Sequence, residues 1–163
     1  MLDLFSKIIG KGVENSEVSS GMEPVAIATA VFLLEIAHAD SQVHHLEEVA
    51  VKDGLMDLFQ KSESQVDSLL EKARKARDKS FDLYQFAKEI NGYFQIEEKR
   101  GILENIWRVV FADGVVDKYE EALVRKIAKL MRLSHREMIQ AKLKVLGKGM
   151  ESVPGRPNDE PEV

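Results

Sequence analysis

The stretch FADGVVDKYEE, Phe111 to Glu121, sets an Asp-Gly turn after an apolar run and then returns to a pair of glutamates. Asp113 closes a segment of helical period, and Gly114 tolerates the positive φ of a tight turn. Asp117 and Glu120 have the spacing of a capping box that opens a new helix. The stretch therefore reads either as a metal loop or as a capped helix connection. Working outward, HADSQVHHLEE (His38 to Glu48) is a looser copy of it: Ala39, Asp40, Val43, Glu47 and Glu48 fall on Ala112, Asp113, Val116, Glu120 and Glu121. The copy departs at Ser41, where glycine is expected, and at His44, where the second stretch has Asp117.

Apolar residues recur at helical spacing almost throughout, and no segment shows the alternation of a strand. The fold class expected is all-α, with helices near residues 24–39, 44–60, 63–77, 81–91, 95–112, 117–131 and 134–147. Pro24 suits the first turn of a helix that is apolar nearly all round, which makes that helix central. Capping boxes are expected at Ser62 with Gln65, Asp117 with Glu120 and Ser134 with Glu137, an N-cap at Ser80, and a stop at Asn91-Gly92. The repeat makes each half three helices, with 81–91 linking them. A compact bundle of about seven helices, two pseudo-twofold-related triplets plus a linker, is the economical arrangement. In that arrangement Glu35 corresponds to Arg108, and the two charges either pair near the axis or reach solvent separately.

The chain has 163 residues, 44% hydrophobic and 31% charged, which suits one globular domain. Its net charge of -5 argues against non-specific nucleic-acid binding. Cysteine is absent, which excludes thiolate zinc and a cysteine nucleophile and favours a cytoplasmic setting. The domain plan is a segment 1–23, a helical domain 24–147, and an acidic, proline-rich, disordered tail 148–163 that holds three of the four prolines. Leu2, Phe5, Ile8 and Ile9 share one helical face, suited to peripheral membrane contact or to docking on protein. The run EKARKARDK, with Lys72, Arg74, Lys75, Arg77 and Lys79, reads as a solvated face or as a dock for an anionic partner.

The ADG turn, the Val and Asp after it, Glu120, and an apolar helix ending in LMRLS together resemble the TerB-like tellurite-resistance family over residues 24–147. The resemblance implies a helical binding or scaffold module linked to stress response and to membrane-associated systems, with metal proposed at its acidic residues. Carried over, those are Asp113, Asp117, Glu120 and Glu121, and in the first copy Asp40, Glu47 and Glu48.

Carboxylates converging at such turns suit a hard cation such as Ca²⁺, Mg²⁺ or Mn²⁺. The spacing is not that of an EF-hand. Zinc is the lesser choice, through Asp40, His44 and Glu48. Each acidic residue also has a structural job: Asp117 and Glu120 cap, Val116 staples, and Asp113 closes the turn. His38 is expected as a packed imidazole, His135 as solvent-facing, and Trp107 as core. No nucleophile elbow, phosphate loop or HExxH is present, so a non-enzymatic module with protein partners is expected. The alternative is a purely structural interaction or membrane-peripheral scaffold without metal.

Overall fold

The computed structural model describes residues 16–39, 45–80, 82–114 and 116–149. Among them are seven helices and no strand: α1 (Ser16–Ala37), α2 (His45–Phe59), α3 (Glu63–Lys79), α4 (Leu83–Tyr93), α5 (Ile96–Val110), α6 (Lys118–Leu130) and α7 (His135–Gly149). The apolar face of Leu2 to Ile9 and the proline-rich tail lie outside the described residues.

From Val25 to Ala37 helix α1 is apolar nearly all round, and its environment follows from that. Val25, Ala26, Ala28, Ala30, Val31, Phe32, Leu33, Ile36 and Ala37 are all buried. They can be so only because α2, α3, α4, α5 and α6 all touch α1. Thr29 satisfies its buried hydroxyl by donating to the Val25 carbonyl at 2.9 Å. Helix α5 is the second buried rod, carrying Ile102, Leu103, Ile106, Trp107, Val109 and Val110 into the core and packing on α1, α2, α6 and α7. Each fully buried side chain of this size contributes about 1.5–3 kcal/mol. Exposed ion pairs contribute about 0–1 kcal/mol, so burial and not charge sets the arrangement.

Pro24 falls inside α1 and not in its first turn, since the helix extends to Ser16. Its ring is exposed, so the hydrogen bond that proline cannot donate is lost on the side facing water. Capping boxes form at Ser62 with Gln65 and at Ser134 with Glu137. At α6, Asp117 accepts from Tyr119 N–H at 2.7 Å. Ser80 is the C-cap of α3, and Asp82 is the residue that caps α4, by accepting from Tyr84 N–H at 2.9 Å. Arg77 explains the difference, because it donates to the Ser80 carbonyl at 2.8 Å and so holds Ser80 to the end of α3. Asn91 does not stop α4, which runs on to Tyr93. Its amide reaches instead to the Leu130 carbonyl at 3.0 Å.

Glu35 does not pair with Arg108. It meets Arg77 from α3, whose Nη2 stands at 3.3 Å, while Arg108 donates to Asn105 Oδ1 at 3.2 Å. Helix α6 ends with Arg132 in the left-handed region (φ 60), Leu133 N–H on the Ala128 carbonyl and Arg132 N–H on the Lys129 carbonyl. Lys99 completes that end. Its ammonium, nearly buried, donates to the Met131 carbonyl at 3.0 Å and to Asn91 Oδ1 at 3.1 Å. Burial lowers its pKa, and the Arg132 charge lowers it further.

Two outcomes test this account. Phe32→Ala should lose about 3–5 kcal/mol of unfolding free energy in urea, whereas Lys72→Ala, which removes the exposed contact to Glu23, should stay within about 1 kcal/mol. Glu137 is the acid sensor: the Ser134 backbone N–H, and then Arg100, hold its carboxyl below the ordinary 4.5. Its stabilisation is present above pH 4.5 and is lost as pH falls through the lowered folded value. Glu137→Gln should therefore unfold at lower urea near neutrality, with the two urea midpoints converging in acid.

Candidate functional site at the acidic turns

The second turn is assembled by the end of α5. Phe111 caps that helix, Ala112 N–H bonds the Val109 carbonyl at 3.2 Å, and Gly114 N–H bonds the Phe111 carbonyl at 3.1 Å. Gly114 adopts φ 79, a conformation that a side chain disfavours. Asp113 and Asp117 are half-buried, Val116 is exposed and so does not staple the helix start, and Val115 lies outside the described residues.

The two glutamates that follow go to different places. Glu120, third in α6, is 1% exposed. Glu121 faces α7, with its Oε1 3.7 Å from Lys142 Nζ. Lys142 in turn sits 5.3 Å above the Trp107 ring, and that ring stacks on Phe111 at 5.6 Å between centroids. Trp107 is core, as its spacing implied, and donates to the Met138 carbonyl at 3.1 Å.

In the first turn, residues 40–44 lie outside the described residues, so Asp40 and His44 are not placed. Glu47, third in α2, is 0% exposed and matches Glu120 in position and burial. Glu48 is exposed and lines a cleft of about 310 Å³ with His38, Lys52, Asp67 and Arg74 among others. There Lys52 bonds Asp67 at 2.8 Å, and the Asp67 carboxylate raises the Lys52 pKa. His38 is exposed and not a packed imidazole, because α1 ends at Ala37 and releases it at the rim of this cleft. His45 and His135 are exposed.

Gly54 lies against Asn105, and the Phe59 ring is 6.3 Å from Phe94, so α2 runs antiparallel to α5. The first turn of α2 accordingly points toward the end of α5, where the second acidic turn begins, and α6 touches α1. Among the described residues, no three His, Asp or Glu side chains gather as ligands, so the second turn does not by itself assemble four carboxylates. The starts of α2 and α6 each offer one buried glutamate, Glu47 and Glu120. A carboxylate removed from water demands donors or a cation. Asp113 and Asp117 supply oxygen atoms of the kind a hard cation accepts.

The basic run of α3 is largely neutralised within the bundle. Lys72 meets Glu23, Lys75 lies 3.4 Å from Glu71, and Arg77 meets Glu35. Arg74 and Lys79 are what remain of it for an anionic partner. No described helix is long and apolar enough to cross a membrane.

A family model described as Tellurite resistance protein TerB matches residues 26–143. No curated protein matches the chain. The crystal structure of a protein of unknown function from Porphyromonas gingivalis W83 is similar in fold, with TM-score 0.56 and 24% identity over 78% of this chain and 95% of that one. Sequence reading found the matched glutamates, but neither their burial nor the Glu121 to Lys142 contact. The turn itself gives one outcome to check: Gly114→Ala should lower the unfolding free energy by about 1 kcal/mol in denaturant titration.

Proposed function

Because the chain belongs to the tellurite resistance protein TerB family, we propose that it is a non-enzymatic helical binding module whose acidic turns hold a hard divalent cation, Ca²⁺, Mg²⁺ or Mn²⁺. The observation that supports this reading is the pair of buried glutamates, Glu47 and Glu120, at the third position of α2 and α6. A cation bound near them would offset part of the desolvation cost of two carboxylates held away from water.

In this reading Glu47 and Glu120 are the inner oxygen donors, and Asp40, Asp113 and Asp117 are the donors on the turns. Glu48 and Glu121 stand at the rim, where Glu121 trades between the cation's field and Lys142. Zinc ranks behind the hard cations because it calls on His44 beside Asp40 and Glu48. The bound ion supplies charge neutralisation and cross-links the two halves. The family description carries the further proposal of a role in tellurite or stress response, exercised in the cytoplasm through partner proteins. Two exposed apolar side chains beside the buried glutamates, Leu46 and Tyr119, suit such contacts.

The test is a titration of metal-free protein with Ca²⁺ and Mg²⁺ followed by amide NMR shifts, and with Mn²⁺ followed by paramagnetic broadening. Saturable changes should centre on Ala112 to Glu121 and on the first turn of α2. They should vanish in Glu47→Gln and Glu120→Gln variants that keep the helical circular dichroism of the parent. Thermal unfolding should rise in step, by about 2.7 kcal/mol at a hundred times Kd. If no cation acts below about 1 mM, a free energy of only about 4 kcal/mol, the metal reading fails. The turns are then capped helix connections in a protein-interaction or membrane-peripheral scaffold.

A further inference from the structure

Arg108 is the partly buried cation of α5 that the bundle leaves without an acidic partner. Among the described residues no carboxylate lies within ion-pair distance of it, and its one hydrogen bond goes to the neutral Asn105 amide at 3.2 Å. Its counterpart in the first half, Glu35, is neutralised by Arg77. The two halves therefore treat the equivalent position differently: one closes it with an internal ion pair, and the other leaves a guanidinium open.

Arg108 faces a cleft of about 770 Å³ between α2 and α5. Asp53, Asp57, Gln60 and Lys61 line it from the α2 side, and Asn105 and Arg108 from α5. The floor is shaped by Gly54, where a Cβ would stand 3.0 Å from Asn105 Oδ1, so the helices approach closely there and the Asn105 amide is held against α2. That amide is fixed at its other end as well, since Nδ2 donates to the Gly101 carbonyl at 3.0 Å. Asn105 thus orients the Arg108 guanidinium while using one of its five N–H donors. A fork held in this way donates to two carboxylate oxygens in parallel.

The rest of the lining selects among anions. Two carboxylates and two cations face the same space, so a polyanion meets repulsion from Asp53 and Asp57, and a polycation meets it from Arg108 and Lys61. A molecule with one charge of each sign meets neither. We propose that the α2–α5 cleft binds a small zwitterion, presenting its carboxylate to Arg108 and its ammonium to Asp53 and Asp57. Amino acids and their short derivatives are the chemical class.

The experiment uses aminobutyrate and aminohexanoate, which separate the two charges by different spans. Hexanoate and hexylammonium are the single-charge controls, and the full chain is observed by amide and arginine side-chain NMR. The expected result is saturable shifts at Gly54, Gln60 and the Arg108 Nε–H with at least one zwitterion, and binding about tenfold or more weaker for each single-charge control, a difference of about 1.4 kcal/mol. Arg108→Gln should abolish the response. Asp57→Asn, at an exposed position that leaves the core intact, should weaken the zwitterion while hexanoate, relieved of one repelling charge, binds no more weakly than before. Equal shifts with hexanoate and the zwitterions, a response that survives Arg108→Gln, or no shift with either zwitterion at about 50 mM would each overturn the proposal.

Discussion

Everything in this bundle depends on α1 having no polar side on which to meet water. A helix with Val, Ala, Phe, Leu and Ile around its whole circumference must be covered from every direction, and five of the other six helices do so. Size varies around its circumference: Ala26 and Ala30 lie one turn apart on one side, and Phe32 and Ile36 lie one turn apart on another, all buried. The remaining helix, α7, is held mainly through α5, by the Trp107 indole on the Met138 carbonyl, and by ion pairs from Arg100 to Glu137 and from Lys144 to Glu104.

Local chemistry was legible in the sequence and distant chemistry was not. The helical period, the central place of α1 and the capping boxes at Ser62 and Ser134 depend on residues a few positions apart, and those readings agree with the structure. Two of the misreadings, at Ser80 and Asn91, arise where a side chain is claimed from afar. Arg77 reaches back to Glu35 and grips the Ser80 carbonyl, which moves the start of α4 to Asp82. Asn91, read as a stop, spends its amide on the end of α6. The site shows the same division. The matched acids were visible as a repeat in the sequence, whereas the burial of Glu47 and Glu120 and the turning of Glu121 toward Lys142 belong to packing. Gly54, inside a helical run, was the available signal for the close approach to Asn105.

Charge inside the bundle is handled by three different means. Glu35 and Glu104 have cations brought to them, and Lys99 is solvated by the Met131 carbonyl oxygen and the Asn91 amide oxygen in place of water. Lys99 thereby acts as a cap reaching in from another helix, which complements the partial negative charge at the end of α6. Arg108 follows neither course, and it lies along a cleft and not within the core. Ionic groups satisfied inside the fold are candidates for stability, and those held open at its surface are candidates for recognition.

The Trp107 ring has a consequence for how this protein is observed. It is the sole tryptophan, it is fully buried, and a lysine ammonium stands over its face. The same ammonium is shared with Glu121, a residue of the second acidic turn. Indole emission colour responds to the local electric field, so any event that strengthens or releases the grip of Glu121 on Lys142 changes the field across the one emitter. The molecule is fitted with its own electrometer, wired to the turn and readable without a label.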